Sequence, residues 1–467
     1  MLKIFKENLS KIAVKTSSKQ YSYDEFHHAV KKIADYCKTF NKYRVAVILD
    51  KSFVTYCTMW AVYLSGGTIC LIDPKAPEHR IQKILNEFVP DIVFSKNKYE
   101  PWDTLSLDDG FCFELKSNDV GTRASNEIFA IIYTSGSTGE PKGVRIKRTA
   151  FERLLETVIP IGEMTQDDIC GNYCDVNFDM GFFDVFHALS VGATLVPIVG
   201  LEKLAPDVII NRQKISYMYV VPTFLDILKI RRSHIKNDSL NSLKILKFGG
   251  AELFPDALAF IFSFLPELSV WNTYGPAETT IFTSYVKLNR DNYLSKAEKS
   301  ICLGKELPIV KYSIKSNQNG ETELVINGEQ CFDGYVKSCG EDFTRQINNC
   351  TSYDTGDIVR EVNGDLFFVS RADNMVKING RRVFLEEIDY QIRRLFGVAA
   401  ITVYVKNRIM TVVEYQNGVS ISSIYDKLKL ELQSYMVPDV IEFIDKLPMN
   451  ANMKYDRKSI KKYYEDK

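Results

Sequence analysis

The sequence predicts an α/β fold with a large N-terminal body of mixed, mostly parallel sheets with flanking helices and a β subdomain, plus a small α+β C-terminal domain. Two observations support this. Short apolar runs alternate with helical patterns to about residue 250, as expected for strand–helix–strand units around a buried parallel sheet. After about residue 300 the strand segments alternate apolar and polar residues, which is typical of half-buried antiparallel sheets.

Hydrophobic spacing predicts the first elements. Residues 22–38 place apolar side chains at helical spacing, and Ser22 with Glu25 predicts a capping box at the start of this helix. Further helices are predicted near 53–64 and 78–88. Strands are predicted at the short apolar runs YRVAVIL, TICLI, DIVFS, IFAIIY, TLVPI, YMYVV and KILKF.

The C-terminal part has a different pattern. Residues 322–328 and 365–371 alternate in polarity and predict antiparallel strands. Asn379 and Gly380 suit a type I′ turn and predict a hairpin. A helix, two strands and a last helix near 421–434 follow. We therefore expect a compact α+β unit at this end of the chain.

We place the domain boundary so that residues 1–371 form the large domain and residues 372–467 the small one. The 467 residues carry 59 Lys+Arg and 59 Asp+Glu, so no net charge attracts nucleic acid or an anionic membrane. No apolar run is long enough to span a bilayer. We expect neither nucleic-acid binding nor membrane insertion, and we interpret the Lys-rich end, 457–467, as a solvated tail.

The ten cysteines are scattered and include no CxxC pair, which favours a reduced, cytoplasmic protein over a disulfide framework. The N-terminus lacks the apolar stretch of a signal peptide. Cys170 and Cys174 are close in sequence, but no nearby Cys or His completes a four-ligand zinc set.

The strongest local motif is YTSGSTGEPKGV (133–144), directly after a predicted strand. Its glycines, hydroxyls and lysine suit the binding of a polyphosphate. It is not the GxxxxGK[ST] loop of P-loop kinases, because Pro141 precedes the lysine and Gly143 follows it. Alone, it could also be a flexible surface loop. The candidate phosphate ligands are Thr134, Ser135, Gly136, Ser137, Thr138, Gly139 and Lys142.

With this loop and six other segments, the chain resembles the adenylate-forming superfamily. Within it, the chain is similar to amino-acid adenylation domains of nonribosomal peptide synthesis and to D-alanine–carrier protein ligases. The resemblance covers nearly the whole chain. The other six segments are 66–81, 177–196, 272–280, 353–360, 370–389 and 447–460.

The resemblance implies a two-step ligase that uses ATP and Mg²⁺. An amino acid first forms aminoacyl-AMP with release of pyrophosphate, and the phosphopantetheine thiol of a separate carrier protein then accepts the aminoacyl group. The first step brings anions together, so it needs positioning and charge neutralisation rather than a protein nucleophile. The resemblance implies that the 134–142 loop binds the β- and γ-phosphates and that Glu278 binds Mg²⁺. It implies that Tyr274 stacks on adenine, that Gly250 and Asn272 line the base site, and that Asp357 binds the ribose with Arg371 nearby. Lys454 would contact both the substrate carboxylate and the α-phosphate.

Each of these residues also has a simpler structural interpretation. Asp357 could be a turn residue, Glu278 a cap, and Tyr274 part of the core. Lys454 could be a solvated lysine.

The resemblance also implies that the small domain rotates between the two steps. Asp373 matches the hinge residue, although it could simply cap a turn, and the 376–380 hairpin matches the face met by the pantetheine arm. Ser370 and Ala277 depart from the family pattern, and Met453 replaces the glycine before the catalytic lysine. If that loop needs a positive φ, the replacement costs about 1 kcal/mol, which raises the alternative of a weakened or inactive enzyme.

Asp179 matches the residue that pairs with the substrate α-amino group, for which a carboxylate is suited; alternatively it is a helix N-cap. Aromatic residues in the predicted pocket favour a small or slim side chain. Lys247 could pair with an acidic substrate, or point to the surface from an edge strand. The other pocket residues are Met180, Phe183, Tyr219, Gly249, Thr273, Ile281 and Phe282.

Two other functions stay open at this point. An acyl-CoA or aryl-acid ligase of the same superfamily would have no use for Asp179. A nucleotide-binding pseudoenzyme with a regulatory role is suggested by Met453. Because the chain ends at Lys467, without room for a carrier domain, we expect a free-standing ligase that loads its carrier protein in trans.

Overall fold

The computed structural model describes residues 9–38, 43–76, 78–96, 103–107, 111–115, 127–135, 141–236, 238–316, 321–336, 351–372, 375–378, 381–432, 436–450 and 453–467. Some predicted features lie outside these ranges. They are Gly136, Ser137, Thr138 and Gly139 of the phosphate loop, the hinge residue Asp373 and the Asn379-Gly380 turn.

The strands are numbered in chain order. Those of the first 310 or so residues are β1 (Ile12–Lys15), β2 (Gln20–Ser22), β3 (Arg44–Ile48), β4 (Thr68–Leu71), β5 (Ile92–Ser95), β6 (Asp103–Leu107), β7 (Phe111–Leu115), β8 (Ile128–Ser135), β9 (Pro141–Lys147), β10 (Ile169–Asn172), β11 (Thr194–Pro197), β12 (Tyr217–Val220), β13 (Ile245–Phe248), β14 (Ser269–Tyr274), β15 (Ser284–Leu288) and β16 (Lys305–Glu306). The later strands are β17 (Val310–Ser316), β18 (Thr322–Gly328), β19 (Ser352–Val362), β20 (Asp365–Arg371), β21 (Met375–Ile378), β22 (Arg381–Phe384), β23 (Ala400–Val405), β24 (Arg408–Glu414) and β25 (Val440–Ile444).

The helices are numbered in the same way. They are α1 (Tyr23–Cys37), α2 (Phe53–Ser65), α3 (Glu78–Phe88), α4 (Arg148–Val158), α5 (Asp179–Ser190), α6 (Pro206–Gln213), α7 (Thr223–Ile230), α8 (Pro255–Phe264), α9 (Leu385–Phe396), α10 (Ile421–Glu431) and α11 (Arg457–Asp466). Short 3₁₀ helices cover Gly200–Leu204, Arg232–His234, Ala277–Thr279 and Tyr293–Lys296.

Two large mixed sheets confirm the predicted α/β body. The nine-stranded sheet has the order β16-β15-β14-β13-β12-β10-β11-β1-β2, and its inner pairs from β14 to β1 are parallel. The seven-stranded sheet has the order β6-β7-β5-β3-β4-β8-β9, with parallel pairs at its centre. The strands that are fully buried are the continuous apolar runs of the sequence, because helices cover parallel sheets on both faces.

The first helix begins as its cap predicts. The Ser22 hydroxyl accepts a hydrogen bond from the Glu25 amide at 3.1 Å, and the Ser22 amide donates to the Glu25 carboxylate at 2.7 Å. The side chains of Ser22 and Glu25 thus each accept a hydrogen bond from a backbone amide that has no partner within the helix. This capping box fixes the start of α1. The predicted helices near 53–64 and 78–88 are α2 and α3.

The predicted antiparallel strands belong to a four-stranded sheet of order β17-β18-β19-β20. Strands β19 and β20 pair antiparallel, with Asp357 opposite Arg371. Residues 322–328 and 365–371 coincide with β18 and β20. The β subdomain therefore agrees with the polarity pattern that predicted it.

The C-terminal segments also follow the prediction, with one correction. Strands β21 and β22 pair antiparallel, and a three-stranded sheet of order β23-β24-β25 packs with helices. The chain does not end in a solvated tail, because residues Arg457–Asp466 form α11. Ile460 and Tyr464, one helical turn apart, are buried against this sheet, and Arg457 forms an ion pair with Asp389 at 2.5 Å. The lysines between them concealed this apolar face.

The contacts divide the chain into two compact units. The first comprises residues 1–296, 303–313 and 325–353, and the second 297–302, 314–324 and 354–467. The predicted division after Arg371, and the mobility of residues 372–467, stay predictions. None of the helices among the described segments combines the length and apolarity needed to cross a membrane.

The cysteines whose side chains the structure describes are not bridged to one another by disulfides, and they are buried. Burial raises the pKa of the Cys37 and Cys174 thiols, each to about 12, so these groups are small apolar fillers rather than thiolates. A reduced cytoplasmic setting stays a prediction.

Candidate active site

The described parts of the phosphate loop are its two flanks. Strands β8 and β9 pair antiparallel up to the loop, with Thr134 opposite Lys142 and Ser135 opposite Pro141. Thr134 and Lys142 are half-buried. The register therefore brings a hydroxyl and a cation of the predicted phosphate-binding set to the same end of the hairpin.

Tyr335 contacts both Glu278 and the β8–β9 hairpin. The Tyr335 hydroxyl donates a hydrogen bond to Glu278 Oε1 at 2.7 Å, and Lys142 Nζ lies 5.5 Å from the centre of the Tyr335 ring. The Val336 amide donates to Gly143 O at 2.8 Å, which fixes this segment beside β9. Tyr335 thus connects the predicted Mg²⁺ ligand with the predicted phosphate-binding lysine.

The predicted adenine-site residues follow two neighbouring parallel strands. Phe248 and Asn272 are paired in the register of β13 and β14, Gly250 comes shortly after β13, and Tyr274 ends β14. Asn272 is buried, Tyr274 is half-buried and Gly250 is exposed, with a positive φ of 77° that glycine adopts without strain. The carboxyl ends of parallel strands share one edge of a sheet, where ligands of α/β folds bind.

Asp179 occupies the first turn of α5, one residue after the N-cap Phe178, so the N-cap interpretation of Asp179 is wrong. Its carboxylate accepts a hydrogen bond from the Met180 amide at 2.8 Å and is only 5% exposed. The helix N-terminus stabilises a negative charge at this position. The chain therefore holds a buried carboxylate at the start of the helix that lines the predicted pocket.

The predicted side-chain pocket is assembled from α5, β12, β13, β14 and the segment after β14. Phe183 and Phe282 have ring centres 5.7 Å apart, and the Tyr219 hydroxyl lies 2.7 Å from Thr273 Oγ1. A Cβ atom on Gly249 would lie 2.8 Å from that Oγ1 atom, so only glycine fits there. Met180 and Ile281 are also buried. The structure thus brings the pocket residues together.

Two consecutive β-branched residues of the segment after β14 have positive φ. Thr280 has φ 61° and Ile281 φ 74°, and a β-branched residue rarely adopts such a conformation. The Gln330 side-chain amide donates to Thr280 O at 2.8 Å and to Phe282 O at 2.7 Å, which holds the segment in place. Gln330 had no signal in the sequence, because it lies about 50 residues away.

Lys247 does not point to the surface. Strand β13 lies between β12 and β14 in the sheet, and the residue is 1% exposed. The edge-strand interpretation is therefore wrong. Burial lowers the pKa of the ammonium group to about 7. The charge of the Asp184 carboxyl has the smaller, opposite effect of raising this pKa.

A second buried lysine, Lys51, was not predicted. Its ammonium group donates to the carbonyl oxygens of Asn172 and Tyr173, each at 2.8 Å, and of Cys174 at 3.3 Å. These carbonyls end β10 and begin the loop that leads to Asp179. In the sequence, Lys51 is an ordinary lysine that follows an apolar strand. Only the tertiary structure shows that its ammonium group is buried against residues 172–174.

Three predicted site residues belong to the second unit. Arg371 Nη1 donates to Asp357 Oδ1 and to Thr355 O, both at 2.8 Å. Asp357 is 5% exposed, so it is more than a surface turn residue. Lys454 is half-buried; its amide donates to Asn450 Oδ1 at 3.1 Å, and its carbonyl accepts from the Asn450 amide at 2.8 Å.

The lysine loop does need a positive φ. Met453 has φ 59°, and its amide donates to Asn450 O at 3.0 Å. A side chain in this region costs about 1 kcal/mol relative to glycine. The hydrogen bonds of Asn450 hold the loop in this conformation, so the departure from glycine is accommodated locally.

Within the described ranges, no group of three or more His, Cys, Asp or Glu side chains could hold a metal ion. A single carboxylate such as Glu278 still fits Mg²⁺, because that ion commonly binds one or two carboxylates and completes its coordination with water and substrate phosphates.

Comparison with known proteins identifies the class. The model of the AMP-binding enzyme family matches residues 4–336, and the chain belongs to this family. The predicted superfamily is therefore confirmed.

Individual relatives are more distant. The chain is 27% identical to D-alanine--D-alanyl carrier protein ligase of Staphylococcus aureus (strain MRSA252), over 83% of both chains. It is also 27% identical to Bacitracin synthase 1 of Bacillus licheniformis, over 89% of this chain but only 8% of that much longer protein. The crystal structure of IdnL7 matches with a TM-score of 0.82 at 21% identity and covers 100% of this chain and 98% of that one. The predicted fold is confirmed.

Proposed function

We propose that this chain activates an amino acid with ATP as aminoacyl-AMP and then transfers the aminoacyl group to the phosphopantetheine thiol of a separate carrier protein. The observation that carries the proposal is the buried Asp179 carboxylate at the start of α5, in a pocket of an AMP-binding enzyme. The name of the D-alanine--D-alanyl carrier protein ligase relative supports an amino acid and a carrier protein as substrates.

In the first step, a carboxylate oxygen of the amino acid attacks the α-phosphorus of ATP. An O–P bond forms, the bond between the α-phosphorus and the bridging oxygen breaks, and pyrophosphate leaves with that oxygen. Lys454 neutralises the charge shared by the carboxylate and the α-phosphate, and Lys142 with the hydroxyls of its loop binds the leaving phosphates. A bound Mg²⁺ ion, held by Glu278, supplies further neutralisation of the phosphate charge.

Recognition of the amino acid depends on Asp179. Its carboxylate is buried, so an ammonium group that pairs with it is not screened by water, and the pair forms a charge-assisted hydrogen bond. Fatty acids and aryl acids have no group for this carboxylate. Tyr274, Asn272 and Gly250 border the base, and Asp357 accepts the ribose hydroxyls, with Arg371 orienting its carboxylate.

In the second step, the carrier thiolate attacks the carbonyl carbon of the aminoacyl-AMP. A C–S bond forms, the C–O bond to AMP breaks, and AMP leaves. The resemblance assigns this step to another orientation of the small domain, with Asp373 as the hinge and the 376–380 hairpin facing the pantetheine arm.

The test is amino-acid-dependent ATP–pyrophosphate exchange across L- and D-amino acids, with Asp179→Asn and Lys454→Ala as variants. We expect exchange with one or a few amino acids and a loss of about 100-fold or more in both variants. Matched controls are Asp167→Asn and Lys461→Ala, which change exposed residues of the same types.

The other outcomes select the alternatives. Exchange with aryl or fatty acids that is retained in Asp179→Asn identifies an acid–CoA or aryl-acid ligase. Tight ATP binding without exchange across all panels identifies a nucleotide-binding pseudoenzyme.

A further inference from the structure

A buried lysine, Lys247, lies among the side chains of the predicted amino-acid pocket. Lys247 is in register with Tyr219 of β12 and with Trp271 of β14, so the three side chains form one row across the middle of the nine-stranded sheet. Gly249 directly follows β13, two residues after Lys247, and therefore continues the same face of the extended chain. Lys247 therefore lies two residues before Gly249 along the chain, further from the carboxyl end of the sheet than Gly249 and Thr273.

Aromatic rings surround the ammonium group. Lys247 Nζ lies 4.2 Å from the ring centre of Phe282, 5.0 Å from Tyr219, 5.1 Å from Trp271 and 5.3 Å from Phe183. Three of these rings belong to residues predicted to line the pocket. The rings stabilise a cation through their π faces, but they supply no negative charge.

No described carboxylate neutralises this lysine by contact. Among the described residues, no carboxylate oxygen lies within ion-pair distance of Lys247 Nζ, and Asp184 of α5 acts on it only from further away. Burial raises the pKa of the Asp184 carboxyl well above its usual range, which favours its neutral form. A buried ammonium without an anion in contact is costly, so a ligand that brings an anion to it gains binding free energy.

We propose that Lys247 is the counter-ion of the substrate's side-chain carboxylate, and that the amino acid activated by this chain is acidic, of the aspartate and glutamate class. The inference rests on the proposed function, because Asp179 must bind the α-amino group for the side chain to point towards Lys247. A single substrate then satisfies a carboxylate at the start of α5 and an ammonium group in the sheet.

The competing interpretation is that Asp184 serves as an internal counter-ion. Lys247 would then only fill the space between the four rings, and the pocket would accept a small neutral amino acid such as glycine or alanine. The two interpretations predict opposite substrate preferences.

The experiment compares kcat/KM for pyrophosphate exchange with glycine and with the L and D forms of aspartate, glutamate, asparagine, glutamine and alanine. We expect one acidic amino acid to exceed its own amide by about 30-fold or more, because the amide places no charge beside the buried ammonium. A preference for alanine, glycine or an amide overturns the inference but leaves the amino-acid ligase intact. Absence of exchange with every amino acid contradicts the proposed function itself.

Variants at Lys247 assign the preference to this residue. Lys247→Met has a similar length and no charge, and we expect it to abolish the preference of the acid over its amide while exchange with the amide persists. Lys287→Met is the matched control, because Lys287 Nζ lies 4.5 Å from the same Trp271 ring but is partly exposed and paired with Glu163. It retains the preference.

Asp184→Asn separates the two interpretations independently. If Lys247 is the counter-ion of the substrate, this variant keeps the acidic preference. If Asp184 is the counter-ion of Lys247, the variant creates an acidic preference that the native protein lacks. Thermal unfolding and AMP binding confirm that each variant is folded, and loss of the acidic preference in Lys287→Met but not in Lys247→Met contradicts the inference.

Discussion

Tyr335 combines two contacts in one side chain. Its hydroxyl donates to Glu278, and its ring faces the ammonium group of Lys142. A hydrogen bond to a charged group contributes about 1.5–3 kcal/mol, so this hydroxyl restricts the orientation of the carboxylate. We therefore regard Tyr335 as a positioning residue for the phosphate end of the site.

Tyr335→Phe tests this position because it removes the hydroxyl and keeps the ring. We expect the Mg²⁺ concentration that gives half-maximal ATP binding to rise about tenfold, as measured by fluorescence titration of bound nucleotide. Tyr335→Leu removes the ring as well and weakens ATP binding further. Tyr312→Phe, which removes a hydroxyl bonded to Thr283, serves as the control. An unchanged Mg²⁺ response in a folded Tyr335→Phe protein argues against the positioning role.

Met453 shows how one residue tolerates an unfavourable backbone conformation. Its φ of 59° lies in the left-handed region, which glycine adopts freely and β-branched residues adopt least well. We expect Met453→Gly to keep pyrophosphate exchange within about threefold of the native rate, and Met453→Val to lower the free energy of unfolding by about 1 kcal/mol or more. Thermal unfolding and exchange rates check both. Equal stability of the glycine and valine variants would show that φ does not limit this loop.

At the level of elements, Lys51 connects two strands of different sheets. It follows β3 of the seven-stranded sheet, and its ammonium group binds carbonyl oxygens at the end of β10 in the nine-stranded sheet. Those carbonyls precede the loop to Asp179. The lysine therefore helps to fix the segment before α5, and with it the position of the Asp179 carboxylate.

We expect Lys51→Met to lower the free energy of unfolding by about 3 kcal/mol, because it removes the hydrogen bonds from the ammonium group to the carbonyl oxygens of Asn172, Tyr173 and Cys174. The difference in the free energy of unfolding between the native protein and Lys51→Met should also depend on pH. Burial lowers the pKa of Lys51 to about 7, below the value of 10.5 for an unfolded lysine, so between these values the unfolded chain binds more protons. The native protein thus gains stability relative to the variant as pH rises above 7, by up to about 1 kcal/mol per unit. Urea unfolding of both proteins at pH 6.5 and 8.5 measures this, and a difference that shrinks with rising pH contradicts it.

At the level of the whole molecule, the chain divides into two compact units, and the resemblance predicts that a small domain moves between two reaction steps. The first unit carries Lys142, Glu278 and Asp179, whereas the second carries Asp357 and Lys454. Because the proposed adenylation and thioester-forming reactions would use different orientations of the small domain, measuring each reaction separately tests the predicted mobility.

Asp373→Pro should affect only one of the two steps. Proline fixes its own φ, so we expect thioester formation on the carrier protein to slow by at least about tenfold while pyrophosphate exchange persists. Asp373→Ala keeps the rotational freedom of the backbone and serves as the control. Equal slowing of both steps, or of neither, argues against a hinge at this residue.

The sequence predicted the elements well because their signals are local. Capping at Ser22, the apolar runs of the parallel strands and the polarity alternation of β18 and β20 each depend on neighbouring residues. The last helix was missed for a local reason too. Its two buried residues, Ile460 and Tyr464, are outnumbered by lysines, so the segment resembles a solvated tail.

The sequence by itself determined the family, the order of the motifs and most of the candidate site residues, because these depend on residue types at short spacing. The tertiary structure decided the surroundings of the charges. Only the pairing of β12, β13 and β14 places Lys247 inside the sheet, and only the fold brings Tyr335 to Glu278 and Lys51 to the end of β10. The burial of a charged group and its partners depend on residues that are distant in the chain, so no local pattern in the sequence predicts them.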